Sequence, residues 1–479
     1  MRREVLQTFC VLGTIVPEAI LEAMLIPLYP FMVRSMMKDS VTDIGYYVGL
    51  LGSAFYFPLL FMNLVWGGVS DRYGRKPVLI IGLVVCGICT FTIGTTSSFW
   101  VAWMCRFMAG FFGGSSTVAK GMLGEIFTNE TDRAWGYAMY GTVYGVAGIV
   151  GPLIGGYLLD PNDPHPIHYP CMLGVGMVLV SILGWTQIPS GAPTRKPVPS
   201  EPEPEPEPEP ESSKASDEFE PQNRKSSSSS TREPSILKMS AVEPRDGKVF
   251  VAQSPSPYMS LLTPRLLFPI SIYCIIAFGN MSYATALSLF FSASPKTGGL
   301  GLSPKLAASF MSILPAAKLV VQFFLFSRLH RIVGVYRTYQ IGMIGMMTLL
   351  LVVGLPSLSS LVSFPTLSVI MACLGTGEAL AYLSVFMLIT EGAKGSNLGL
   401  AHGFASTCAA GLRTISPALT GYLWELGIHT RLYGLIFLLL SLLGLLGVYM
   451  CQNGPAWVAH YEGSTRTDPR SESESLLSE

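Results

Sequence analysis

Two apolar runs, residues 45–66 and 78–97, are separated only by Gly67-Gly68-Val69-Ser70-Asp71-Arg72-Tyr73-Gly74-Arg75-Lys76-Pro77. Each run has about 20 residues and almost no charge, the length a helix needs to cross ~30 Å of hydrocarbon. The charges of Asp71, Arg72, Arg75 and Lys76 need water or headgroups, so the chain must cross a bilayer, turn outside it and return. Glycines at 67, 68 and 74 permit a tight turn that a Cβ would obstruct. Arg72, Arg75 and Lys76 mark the joint as cytoplasmic by the positive-inside bias. Asp71 stands at a helix end among cations, where a carboxylate holds neighbouring helix termini through charge and dipole.

Composition excludes several classes. Half of the 479 residues are hydrophobic and 13% are charged, against about 25% charged in soluble domains. The net charge of zero gives no global field towards nucleic acid. Residues 1–4 are charged, but the apolar run after them is too long for a signal peptide and contains Glu18 and Glu22, so it remains as a span. Cys86 and Cys89 read as small buried residues inside a span, and no disulfide framework is implied. No nucleophile–base pair or glycine-rich phosphate loop appears, so enzyme activity and cofactors are not expected. Asp160-Pro161-Asn162-Asp163-Pro164-His165-Pro166-Ile167-His168 has three prolines and no thiolate, and reads as a rigid turn rather than a metal site.

The whole chain reads as an all-α membrane protein of twelve helices, near 8–33, 45–66, 78–97, 99–123, 134–158, 170–188, 265–292, 304–326, 338–355, 365–390, 400–424 and 431–451. They divide into an N-terminal six-helix half (1–189) and a C-terminal six-helix half (265–451). Between them, 190–264 is rich in Pro, Ser and charge and reads as a disordered cytosolic linker. Its Glu–Pro run from Glu201 to Glu211 favours extended polyproline II, ~30 Å long. Arg224-Lys225 before Ser226–Ser230 suits a basophilic kinase, although a solvated spacer between the halves is the plainer reading of the segment. Residues 452–479 read as a disordered cytosolic tail. With the linker set aside, lysine and arginine number 12 in the segments assigned inside and five in those assigned outside, which puts both termini in the cytosol. Asn129-Glu130-Thr131 is a glycosylation sequon, placed in the cytosol by this topology.

The halves repeat. Gly151-Pro152-Leu153-Ile154-Gly155-Gly156-Tyr157-Leu158-Leu159-Asp160 is matched by Ser416-Pro417-Ala418-Leu419-Thr420-Gly421-Tyr422-Leu423-Trp424-Glu425. The charged joint has a worn echo at Leu329-His330-Arg331-Ile332-Val333-Gly334. Repeats of this kind place a binding site near midplane, at the interface of the halves.

Charges inside the spans mark candidate sites, because an ionised group in hydrocarbon costs at least ~2.5 kcal/mol unless it faces a partner or a wet cavity. Glu18 and Glu22 lie one turn apart on the first helix. Two carboxylates that close in low dielectric cannot both ionise cheaply, the behaviour of a proton carrier; the plainer reading pairs one of them with Arg106 or Lys120. In the second half Lys318, Glu378 and Arg413 are the deep charges, with Gly375 and Gly377 beside Glu378. Tyr273, Asn280, Tyr283, Gln322 and Tyr382 complete a candidate substrate cavity, although each alone is equally a packing residue. Gly141, Gly145, Gly148, Pro152 and Gly155 share one helix face, which another helix can approach closely; Gly151 and Gly156 widen it.

The joint G-x-x-x-D-R-x-G-R-K over Gly67–Lys76 resembles the loop signature of the major facilitator superfamily. Arg106, followed by Gly110 and Gly114, is similar to its fourth-helix arginine pattern, and the glycines and proline of Gly141–Gly156 to its fifth-helix antiporter signature. Pro17-Glu18, Pro27-Leu28-Tyr29-Pro30-Phe31-Met32, Ala119-Lys120 and Glu125-Ile126 resemble the twelve-helix drug:proton antiporter group, in particular its zinc-induced-facilitator-like branch of fungi and plants. The resemblance covers residues 5–190 well and 265–451 loosely; Glu22 departs from the pattern. It implies a small-molecule or ion substrate moved by alternating access in exchange for protons. Glu18, Glu22 and Glu378 would be the proton sites, and Gly67, Asp71, Arg72, Gly74, Arg75 and Arg106 the conformational gate. A transporter-like receptor with the linker as output, a uniporter or a symporter are the rival readings. The protein is expected to act as a monomer. Glu472-Ser473-Glu474-Ser475-Leu476-Leu477 resembles an acidic dileucine signal read by sorting adaptors, favouring a vacuolar or endosomal membrane over the plasma membrane.

Overall fold

A computed structural model describes residues 2–37, 43–126, 130–160, 163, 165–186, 263–354, 363–393 and 398–465, and they form helices without any strand. The linker from 190 to 262, the sequon's Asn129 and the sorting residues Glu472, Leu476 and Leu477 lie outside the described residues. The first half of the sequence forms α1 (Arg2–Met37), α2 (Ile44–Tyr73), α3 (Arg75–Thr95), α4 (Phe99–Phe111), α5 (Ser115–Ile126), α6 (Glu130–Leu158) and α7 (His168–Thr186). The second forms α8 (Pro264–Ser292), α9 (Pro304–Val320), α10 (Phe326–Val333), α11 (Val335–Val353), α12 (Phe364–Gly392), α13 (Leu398–His429) and α14 (Leu435–Thr465). Among the described residues nine helices are long and apolar enough to cross a membrane, α9 and α10 counting as one; α4 and α7 are shorter apolar helices. The chain is a multi-pass integral membrane protein.

The charged joint is tighter than expected. Gly67 and Gly68 are helical and belong to α2, so they make no turn; Gly74 alone separates α2 from α3, at φ 95° and ψ 152°. Gly334 does the same between α10 and α11, at φ 83° and ψ 165°. Left-handed φ carries no Cβ penalty in glycine, so one residue reverses the chain in each half. The worn sequence echo is thus a close backbone repeat.

The helix expected over 99–123 is broken. Phe112, Gly113 and Gly114 interrupt it between α4 and α5. The Trp66 indole donates to the freed Phe111 carbonyl at 2.7 Å, and a Cβ on Gly114 would lie 2.6 Å from Trp66 Cβ. The break exists because glycine admits the tryptophan that satisfies it. The helix expected to end near 326 continues through a π-helical turn at Val321–Leu325 into α10. The tail expected from 452 is helical to Thr465. Asn453 Nδ2 donates back along the helix to the Tyr449 carbonyl at 3.0 Å, and Gly454 lets the Phe268 ring lie against the helix, so the polar change at residue 452 does not end it.

The glycines of α6 face two neighbours, not one. A Cβ at Gly151 would meet Ala23 Cβ at 2.9 Å and one at Gly155 would meet Met24 Cγ at 2.8 Å, both on α1; Gly148 faces Pro315 at 2.9 Å on α9, with Gly145 against Leu319 and Gly156 against Ala308. α6 therefore lies between a helix of its own half and one of the other.

The two sequence halves meet most closely at one end. There Glu425 of α13 accepts from the Gly45 N–H of α2. His429 stands 3.2 Å from Asp43, Ser53 Oγ accepts from Ala418 N–H at 3.1 Å, and Ser312 donates to the Ile149 carbonyl at 2.9 Å. Towards the end bearing Gly74 and Gly334 the contacts loosen. A Cβ on Gly411 would meet Leu60 at 3.9 Å and one on Gly141 would meet Gln322 at 4.0 Å, ordinary van der Waals contacts, while at Gly67, Gly68 and Gly403 nothing lies within 4 Å. At the closed end Gly49 abuts the Pro417 backbone, its Cβ position 3.0 Å from Ala418 Cα. Gly49→Val must push α2 and α13 apart, because two backbones cannot yield as a side chain can. A cysteine pair replacing Asp43 and His429 is expected to cross-link readily, and with Gly49→Val added the yield falls several-fold; an unchanged yield would show that the contact is not tight.

Candidate functional site

The first-half wall carries the carboxylates. Glu18 and Glu22 line one cavity with Cys86, Cys89, Arg106 and Ser115, enclosing about 30 Å³, room for a water or two. Glu18 faces the Ser115 hydroxyl. Glu22 accepts from the Tyr56 hydroxyl. Tyr140 and Ser116 hydroxyls lie 2.6 Å apart, with the Tyr144 ring 5.0 Å from that of Tyr140.

Arg106 is only 5% exposed. Its guanidinium lies 4.6 Å over the Phe55 ring and 5.6 Å over the Tyr29 ring; an aromatic face attracts a cation most where water is excluded. Among the described residues Arg106 makes no ion pair, and its Nε is buried without a hydrogen-bond partner. The structure therefore does not join Glu18 or Glu22 to it directly. Asp71 lies in the last turn of α2, sixteen residues beyond Phe55, about 24 Å along a helix, so Asp71 and Arg106 are separate elements of any gate. Arg72 lies over the Tyr73 ring at 5.7 Å. The Arg75 guanidinium crosses to α5, where Gly121 makes space for it. Of Lys120 the structure gives only its place on α5.

In the second half Glu378 is the centre. It is 3% exposed and accepts from Lys318 Nζ, Asn280 Nδ2 and the Tyr283 hydroxyl. Asn280 also donates to Tyr283 at 3.2 Å. Such a carboxylate is stable in low dielectric only because its charge is paired and its oxygens occupied. Arg413 belongs to a second group. Its Nη2 donates to the Tyr382 hydroxyl and lies 3.4 Å from that of Tyr273, whose rings meet edge to face at 5.7 Å. Gln322, in the π-helical turn, faces Gly141 across the halves.

A second cavity, of about 10 Å³, joins the walls; Ile26, Tyr29, Tyr56 and Arg106 meet Met281, Thr285 and Pro417 there. The candidates thus form three groups at the cleft, carboxylates with Tyr56, Lys318–Glu378, and Arg413 with its tyrosines. Sequence reasoning missed Tyr56 and Tyr29. A tyrosine in a span carries no signal alone; Tyr56 becomes a site residue only because α2 places it against Glu22.

This geometry, apolar spans that enclose polar and charged side chains, agrees with similarity to known proteins. The family model of the major facilitator superfamily matches residues 12–417. The zinc-induced-facilitator-like protein 1 of Arabidopsis thaliana is 26% identical over 420 residues, covering 84% of this chain and 80% of that protein. A major facilitator superfamily multidrug transporter of Aspergillus fumigatus is 25% identical over 466 residues, covering 84% and 76%. The crystal structure of a bacterial homologue of the human lysosomal transporter Spinster, inward-facing and unoccupied, superposes with TM-score 0.63 at 12% identity, covering 94% of this chain and 96% of that one. With this match across both repeated halves, the chain belongs to the major facilitator superfamily, and it is a secondary transporter of small solutes by alternating access rather than an enzyme.

Proposed function

We propose that the protein is a proton-coupled antiporter of the zinc-induced-facilitator-like branch, with twelve spans in two six-helix halves. α4 with α5, and α9 with α10, count as one span each, and α7 and α13 complete the set. The observation that carries the coupling is the placement of carboxylates on both walls of a cleft closed at one end: Glu22 against Tyr56 and Glu378 against Lys318. Each can hold a proton in one state of the cycle and face a partner in the other. Closure at the Asp43–His429 end supports reading the conformation as inward-facing, if Gly74 and Gly334 are cytosolic. The gate residues Gly67, Asp71, Arg72, Gly74, Arg75 and Arg106 then act at two levels of one rocking motion. Uptake into proteoliposomes with and without an imposed pH gradient tests the coupling. Counterflow, which a receptor cannot perform, tests transport itself.

The charge bias places both termini and the linker in the cytosol. Epitope tags at residue 215 and in the tail are expected to bind antibody only after permeabilisation; labelling of intact cells with the protein at the surface would exclude this topology. The dileucine sequence favours a vacuolar or endosomal address through sorting adaptors, with a kinase acting on the linker. Leu476→Ala with Leu477→Ala is expected to shift the protein several-fold towards the cell surface in fractionated membranes, and an unchanged distribution would dismiss the signal.

A further inference from the structure

The second-half charges are unevenly compensated. Lys318 and Glu378 neutralise each other, and hydrogen bonds from Asn280 and Tyr283 occupy the carboxylate as well. Arg413's direct hydrogen-bond partners are phenols: Nη2 is held by Tyr382 and Tyr273, Nε is buried without a hydrogen-bond partner, and the Glu378 carboxylate reaches it only through space. Among the described residues no carboxylate pairs with it. Glu22, on the facing wall, is engaged by Tyr56, and Tyr56 is itself within electrostatic reach of Arg413. Pro417, one turn along α13 from Arg413, lines the cavity joining the halves together with Tyr56.

A guanidinium held inside a membrane protein without a counter-anion is costly, and such residues mark substrate paths. Guanidinium is also the side chain whose planar fork matches an oxyanion with two parallel hydrogen bonds. Both phenol oxygens accept from Arg413 and the two phenols hydrogen-bond each other, which leaves one O–H proton free to donate to the same oxyanion. We propose, resting on the transporter reading above, that the cargo is a small organic anion, and that its carboxylate or equivalent oxyanion seats on Arg413 between Tyr273 and Tyr382. Glu22 and Glu378 then serve the proton and not the cargo, because their oxygens already have donors.

The test reads the sign of the cleft without knowing the cargo. Leu60, on α2 facing Gly411 of α13, is replaced by cysteine in the full-length protein. Its modification is timed by mass spectrometry of the residue-60 peptide, so the nine native cysteines stay in place. Three methanethiosulfonates are used, one neutral, one bearing a sulfonate and one bearing trimethylammonium, each rate divided by that with free glutathione. The sulfonate is expected to react about tenfold faster than the ammonium reagent, the scale of one unscreened charge within a few ångströms. Arg413→Gln should remove the preference, Arg413→Lys should keep part of it, and Lys296→Gln, on the outer turn, should leave it unchanged. Benzoate should slow the sulfonate reaction in the wild-type background more than benzylamine does. An equal or reversed preference, or one that survives Arg413→Gln, overturns the anion site. If Arg413→Gln does not fold, Tyr273→Phe with Tyr382→Phe and the benzoate arm decide. If even the neutral reagent fails to reach residue 60, the open cleft of the transporter reading is wrong, a different failure from a lost sign preference.

Discussion

Proteoliposomes carrying Glu22→Gln are expected to exchange cargo at close to the wild-type rate and to lose accumulation driven by a pH gradient. Exchange needs no net proton movement, whereas accumulation does. One pH unit is worth about 1.4 kcal/mol per proton, a tenfold concentration ratio at one proton per cargo. The wild-type protein should approach that ratio and the variant should stay near one. Glu22 is the first choice because its partner Tyr56 lines the cavity that joins the two walls, while Glu18 turns to Ser115 in a cavity lined by first-half residues alone. Glu18→Gln is the companion experiment. If both variants still concentrate cargo with normal pH dependence, these carboxylates are structural and Glu378 becomes the proton site. Asp71→Asn, which removes a charge at the end of α2 and no proton site in the cleft, should slow exchange and accumulation together.

Lys318→Met is expected to destabilise the protein strongly, and more than Lys318→Met combined with Glu378→Gln. The single change leaves a carboxylate with 4% of its side chain exposed and no directly paired cation. Breaking a buried pair costs about 3–5 kcal/mol, and replacing both members by neutral groups is often nearly neutral. Lys318 keeps 30% of its side chain exposed, so the lower end of that range applies. Thermal unfolding in detergent reads the order directly: single variant lowest, double variant recovering most of the loss. If the double variant is as unstable as the single, the pair is not the source of the cost.

Much of the fold was legible in the chain because hydrocarbon imposes a simple rule. Long apolar runs with charged joints had to be helices, and Gly151–Asp160 recurs in the sequence as Ser416–Glu425. The charges within the spans were equally legible, since Glu18, Glu22, Arg106, Lys318, Glu378 and Arg413 stand out against apolar sequence. What the sequence did not contain was their partners. Glu378 with Lys318 and Arg413 with Tyr382 are separated by 60 and 31 residues, and only helix packing decides which donor reaches which acceptor. Single residues also decided local geometry that hydropathy averages away: Gly74 and Gly334 reverse the chain alone, and Trp66 breaks the helix at Phe112–Gly114. The sequence by itself determined that charges would be buried and that helices would enclose them. The tertiary structure decided which charges are neutralised and which is left with phenols, because compensation in low dielectric depends on distances of a few ångströms between segments far apart in the chain.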